Sequence, residues 1–133
     1  MDIVAILNAG DIASLRGAVT CGLSHNDWYV EGTSLLRWAI YLDQPYALHL
    51  LCAHCPEGLP NRADDDDLTP LSDSIFYGNI RALEVLAHYN VDFYKEWDGK
   101  PPLYWALLYA PDNILCFLFD VAKVQIDDES MRV

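Results

Sequence analysis

The sequence predicts an all-α fold, a solenoid of four helix-turn-helix units joined by short extended turns. Three observations lead there. A turn recurs as "GTSLLRWA" from Gly32, "DLTPLSDS" from Asp67 and "GKPPLYWA" from Gly99. Four residues into each stands Leu36, Leu71 or Leu103, and three further on a small residue, Ala39, Ser74 or Ala106. A second pattern steps by 33, 35 and 32 residues in two registers, Leu15, Leu48, Leu83, Leu115 and Ala18, Leu51, Leu86, Leu118. Finally, 53% of the 133 residues are apolar, enough for a real core in one domain.

The units fall at about 2–31, 32–66, 67–98 and 99–122 of a single domain 1–133, with an acidic tail 123–133. In the first, a truncated opening helix precedes "GDIASLRGAVTCG", which matches "GNIRALEVLAHYN" of the third in length and pattern. In the second, the connection from Cys55 to Asp67 is about two residues longer than its counterparts. In the third, Thr69 precedes Pro70, which suits the first helical position. Gly78-Asn79 breaks that helix and starts the next. Ile80, Leu83, Val85 and Leu86 then form a helical stripe that Asn90 stops in the left-handed conformation. Helices this short need neighbours to be stable, so units must stack. The tail "IDDESMRV" is expected to cap the last pair loosely or to stay disordered.

Eight Lys and Arg against twenty Asp and Glu give a net charge of −12. A field of that sign repels phosphate backbones, so direct nucleic-acid binding is not expected. It attracts a basic protein, and it also keeps a chain soluble whether or not a partner exists. No apolar run reaches the roughly 18 to 20 residues of a membrane span, so no membrane association is expected. The opening "MDIVAILNAGDIASLRG" has Asp2 where a secretory leader is basic, which points to a cytoplasmic chain. Cys21, Cys52, Cys55 and Cys116 are scattered, as thiols of a reducing compartment are.

Metal and catalytic signals are weak. His49, Cys52 and Cys55 share one helical face as a zinc half-site would, but no second ligand pair accompanies them, and helix packing explains them better. The run Asp64–Asp67 lacks the alternation, glycine and distal glutamate of a calcium loop. It reads as a partner-facing acidic tip or a merely solvated one. No phosphate cradle or nucleophile elbow is present, and His25, His49, His54 and His88 have no coupled nucleophile. His54 and His88 end second helices, where a cation suits the helix dipole. No enzyme, metal or cofactor is expected.

A unit of about 33 residues with a Gly-x-Thr-Pro-Leu-like turn resembles the ankyrin repeat. "DLTPLSDS" and "GKPPLYWA" carry the resemblance most clearly, and "NVDF" at 90–93 is similar to the family's Gly-Ala-Asp-Val stretch. It covers roughly residues 2 to 122. Arg37, Ser72 and Tyr104 stand where the family has a turn-stabilising histidine, and Ser34 and Pro101 replace its threonine. Irregular hairpins are therefore expected, above all around "PEGLPNRADDDD".

The resemblance implies a concave binding surface built from the turn tips and the inner faces of the first helices. It puts Trp28, Val30, Glu31 and Thr33 at the second tip and Asp65, Asp66, Asp67 and Leu68 at the third. Lys95, Trp97, Asp98 and Lys100 fall at the fourth. The matching helix positions are Tyr41 and Leu42, Phe76 and Tyr77, and Leu108 and Tyr109. From these the expected partner-binding set is Trp28, Glu31, Tyr41, Asp65, Asp66, Asp67, Phe76, Tyr77, Trp97, Asp98 and Tyr109, with both tryptophans exposed. Such a surface fits an inhibitor of a basic protein, of the antitoxin or immunity type. It also fits an adaptor or host-directed effector that docks a cellular protein without inhibiting it.

Overall fold

The computed structural model describes residues 2–124; the expectation for the tail beyond them lies outside the described residues. The described chain is mostly helical. Asp2 caps α1 (Ile3–Ala9), its Oδ1 accepting from Ala5 N at 3.1 Å. α1 has seven residues, like α3 (Leu35–Tyr41) and α5 (Pro70–Phe76), so the opening helix is not truncated. A cap at the second residue is enough to start it at full length.

The second helices are α2 (Ile12–Thr20), α4 (Pro45–His54) and α6 (Ile80–His88). Three links between first and second helices share one hydrogen-bond pattern. The first helix is closed by Gly10, Asp43 or Gly78, each at positive φ, whose N–H bonds to the carbonyl of Leu7, Ile40 or Ile75. The next residue, Asp11, Gln44 or Asn79, donates further back to Ile6, Ala39 or Ser74. This pair of hydrogen bonds satisfies the orphan carbonyls of a helix end. Asp11 and Asn79 then cap the following helix through their side chains, accepting from Ser14 N and Ala82 N, both at 3.1 Å. α7 (Pro102–Tyr109) and α8 (Asp112–Cys116) are joined through Ala110-Pro111, and α8 widens into a π-helical turn over Phe117–Val121.

Pairs that neighbour in sequence neighbour in space. α1 packs on α3, α3 on α5 and α5 on α7, while α2 packs on α4 and α4 on α6. Leu36, Leu71 and Leu103 are buried along the first row, as are the small residues Ala39, Ser74 and Ala106 between them. Leu15, Leu48 and Leu83, with Leu51, Leu86 and Leu118, are buried along the second. Leu115 is a correction: it is only partly buried, and Ile114 fills that place. With Pro111 starting α8, the inward stripe falls on Ile114, Phe117 and Leu118, spaced three and four apart. The long second connection forms a 3-10 turn at Leu59–Asn61 and buries Leu59.

Hairpins join the pairs. β1 (Tyr29–Val30) pairs antiparallel with β2 (Thr33–Ser34) around Glu31-Gly32, with φ +55 and +77. Asp98-Gly99, at +52 and +77, repeats this turn between Trp97 and Lys100. Two consecutive left-handed residues match the twist of a tight hairpin. The middle turn is one residue longer, held by Asp64 N to Leu68 O at 3.1 Å, with Asp67 left-handed at +59.

Gly32→Ala should destabilise more than Gly99→Ala, although both backbones sit at φ +77. A Cβ at 32 would stand 2.8 Å from Asp65 Oδ2 and 2.9 Å from Asp65 Cβ, whereas among the described residues nothing lies within 4 Å of one at 99. Left-handed strain alone costs about 1–2 kcal/mol, and denaturant melts read the excess at 32. Equal losses would mean that Asp65 moves aside freely.

Candidate functional site

The aspartate run folds around Arg37, the third residue of α3. Ser34 caps that helix, its Oγ accepting from Arg37 N at 3.2 Å. The Arg37 side chain lies almost buried between α3, α5 and the middle hairpin. Nη1 donates to both oxygens of Asp64, at 2.8 and 2.9 Å, and to Asp66 Oδ2 at 2.8 Å. Nε donates to Asp73 Oδ2 at 2.7 Å. The buried Asp64 carboxylate also accepts from Ser34 N (3.0 Å) and Asp66 N (3.1 Å), and Asp66 Oδ2 accepts from Thr33 Oγ1 at 2.8 Å. Asp65 N donates to Gly32 O at 3.0 Å. Two successive hairpins and the start of two helices are thus tied to one guanidinium.

The acidic tip therefore has two parts. Asp64 and Asp66 hold the fold, while Asp65 and Asp67 face solvent. Burial opposes the charge on Arg37, but its bonds to Asp73, Asp64 and Asp66 outweigh that and hold it protonated. Hydrogen bonds from Arg37 and Thr33 hold the Asp66 carboxyl below the usual range. Burial pushes Asp73 up, against the pull of Arg37.

The two aspartates consequently act on stability in opposite directions. Asp73 holds its proton more tightly folded than unfolded, so its contribution grows as pH falls through its raised folded value. Asp66 contributes above the unfolded carboxylate value of about 3.9 and loses this as pH falls through its lowered one. Denaturant melts should show wild type gaining on Asp73→Asn as the medium is acidified towards that unfolded value. A difference that stays flat would remove Asp73 from the account.

Aromatic rings adjoin this cluster, for Trp38, Tyr41 and Tyr77 line one cleft with Arg37 and Asp73. Tyr41, Tyr77 and Tyr109 are 61%, 58% and 62% exposed, and Phe76, Leu107 and Leu108 are exposed beside them. Tyr41 meets Trp38 at 6.2 Å between ring centroids and Tyr77 at 6.0 Å, both edge to face. Phe76 meets Trp97 and Tyr109, each at 5.8 Å. Trp105 stacks on Trp97 at 5.7 Å and on Tyr109 at 6.3 Å. Trp38 Nε1 donates to Val30 O and Trp105 Nε1 to Trp97 O, both at 3.1 Å and both eight residues back. The two indoles thus occupy one repeated position, seating a helix against its own hairpin. In the unit between them, that position is Asp73.

Of the expected surface, Glu31, Tyr41, Asp65, Asp67, Phe76, Tyr77, Asp98 and Tyr109 are exposed, and Trp97 is half-buried in the ring cluster. Asp66 is exposed but bonded inward to Arg37. Trp28 is a correction, for it is 3% exposed and part of the core. It ends a 3-10 turn, His25–Trp28, closed by Asp27 Oδ2 accepting from Ser24 N at 2.9 Å, and its indole lies inside. Arg37, Trp38, Asp73 and Trp105 were absent from the expected surface. The repeat carried the signal: Trp38 and Trp105 share one register, and Arg37 and Asp73 are the single charged residues of α3 and α5.

No family model matches the chain, and no curated protein matches it.

The cysteine face is built for packing. The Cys52 thiol is pushed up to about 12 by burial, and Cys55 is also raised by burial. His49 Nδ1 pairs with Tyr89 Oη at 2.6 Å. Among the described residues, no group of three or more His, Cys, Asp or Glu is placed to hold a metal ion. No helix of the described residues is long and apolar enough to cross a membrane.

Proposed function

We propose that this chain is a non-enzymatic protein-interaction module of the ankyrin-repeat type. In this reading it inhibits a basic protein, as an antitoxin or immunity protein does, by covering it with its aromatic-acidic face. One observation carries the reading: exposed rings in mutual contact, Tyr41 with Tyr77 and Phe76 with Tyr109, are joined through Trp38 and Trp97 to the hairpins whose tips expose Glu31 and Asp98. Contiguous exposed aromatics mark interaction surfaces, and Trp and Tyr dominate binding hot spots. The net charge of −12 supports a basic partner. The serial packing of the helix pairs supports the stacked-repeat architecture. Four unpaired thiols fit a reducing compartment such as the cytoplasm.

Affinity capture from the source organism's lysate at low and high salt tests the reading. A single stoichiometric basic protein whose own activity falls in the complex is the expected result. Several unrelated partners, or one whose activity is untouched, would point to an adaptor.

Association kinetics then separate the roles of the surface residues. Trp97→Ala should raise the dissociation rate, with a loss of about 2 kcal/mol or more if Trp97 is an anchor. Changing Asp65 and Asp67 together to Asn should slow association at low salt and matter little near 1 M, where screening is almost complete. Asp66 is left unchanged because its carboxylate bonds Arg37 and Thr33. Unchanged rate constants in both folded variants would place the partner elsewhere.

A further inference from the structure

A cleft of ≈ 310 Å³ opens between α3 and α5, lined by Thr33, Arg37, Trp38, Tyr41, Asp73 and Tyr77. Trp38, Tyr41 and Tyr77 form aromatic walls, joined edge to face. Beneath them, three carboxylates surround one guanidinium, leaving two negative charges in formal excess. Both oxygens of Asp64 are bonded to Arg37. Asp73 differs: Oδ2 accepts from Arg37 Nε, and among the described residues no donor reaches Oδ1. No buried side-chain oxygen among the described residues lacks a partner, so Oδ1 opens on the cleft that Asp73 lines. Asp73 is only 4% exposed, so whatever meets this oxygen comes through the cleft.

The ligand that fits is a donor carrying positive charge. Aromatic faces attract cations, and the local excess of carboxylate adds to that attraction. A guanidinium is a poor match, because its planar fork is suited to two acceptor oxygens and one is offered here. An ammonium is compact and needs a single strong acceptor, and its methylene stem packs on rings. We propose that this cleft receives a lysine side chain of the basic partner, its ammonium on Asp73 Oδ1 and its stem against Trp38, Tyr41 and Tyr77. The proposal rests on the reading of this face as a surface for a basic protein.

The four tryptophans give four indole N–H resonances in the labelled full chain, and Trp38 reports on the cleft. The probes are acetyl-Gly-Ser-Lys-Ser-Gly-amide and the same peptide with arginine or norleucine in place of lysine. The lysine peptide should shift the Trp38 resonance saturably, and the other two should bind roughly tenfold more weakly. Tyr77→Leu, at an exposed ring, should weaken the lysine peptide roughly tenfold without lowering the melting temperature. Glu84→Gln, an exposed carboxylate on α6, should change nothing, which excludes a general charge effect. Asp73→Asn should also lose the peptide, and Tyr77→Leu decides the matter if that variant does not fold. Equal binding of the arginine peptide, or no shift at Trp38, would overturn the lysine cleft. Shifts at Trp97 and Trp105 without Trp38 would overturn it while leaving the face as a surface for basic proteins. Failure of that wider reading is seen separately, in capture that Trp97→Ala leaves unchanged.

Discussion

Replacing Arg37 by Met is expected to destabilise the protein by about 3–5 kcal/mol, the cost of leaving buried charge without its partner. Asp64 and Asp73 have almost no solvent contact, and Arg37 is the cation that bonds both. The substitution keeps a long side chain in place, so a packing defect does not account for a loss of that size. What it removes is the compensation for two buried carboxylates, the Asp66 contact and the tie between the hairpins. The loss should shrink as pH falls, because carboxyls without a cation take up protons and cease to be buried charges. Denaturant melts of Arg37→Met across pH measure this. A loss under about 1 kcal/mol, of the size seen for exposed pairs, would show that the cluster is solvated and holds nothing.

The second large effect is expected at Leu86. Leu86→Ala should cost about 2–5 kcal/mol through lost burial and a residual cavity. Leu86 is fully buried in α6, which packs on both α4 and α5. Leu118→Ala should cost less, although Leu118 is equally buried, because among the described residues its π-helical turn lies in the last pair, with a neighbouring pair on one side. Paired melts of the two variants decide it. Equal losses, or a larger one at Leu118, would count against the stacking order.

The helices were legible because short-range chemistry specified them. Thr69-Pro70, Gly78-Asn79 and Asn90 start, break and stop helices where their own backbone and side-chain preferences place them. The leucine registers were legible for a related reason, since each buried position recurs once per unit. The reading failed where a local device rotated a residue. Leu115 yields to Ile114 beside Pro111 and a π-helical turn, and Trp28 turns inward at the end of a capped 3-10 turn. Leu59 was missed because a lone leucine in a polar connection carries no periodicity.

Of the candidate site, the sequence by itself determined composition and order: which tips are acidic, which helix ends carry aromatic residues, and a net charge of −12. Those follow from residue identity and from the repeat. Only the tertiary structure decided that the aspartate run is divided, with Asp64 and Asp66 turned in to Arg37 and Asp65 and Asp67 left to solvent. It also decided that Asp73 lies where its neighbouring units place Trp38 and Trp105 against their hairpins. The reason is distance along the chain. Arg37 meets Asp64 and Asp73 across 27 and 36 residues. An isolated helix or turn contains neither contact, and the charges pair only once packing of α3 on α5 has removed the water that would otherwise solvate them.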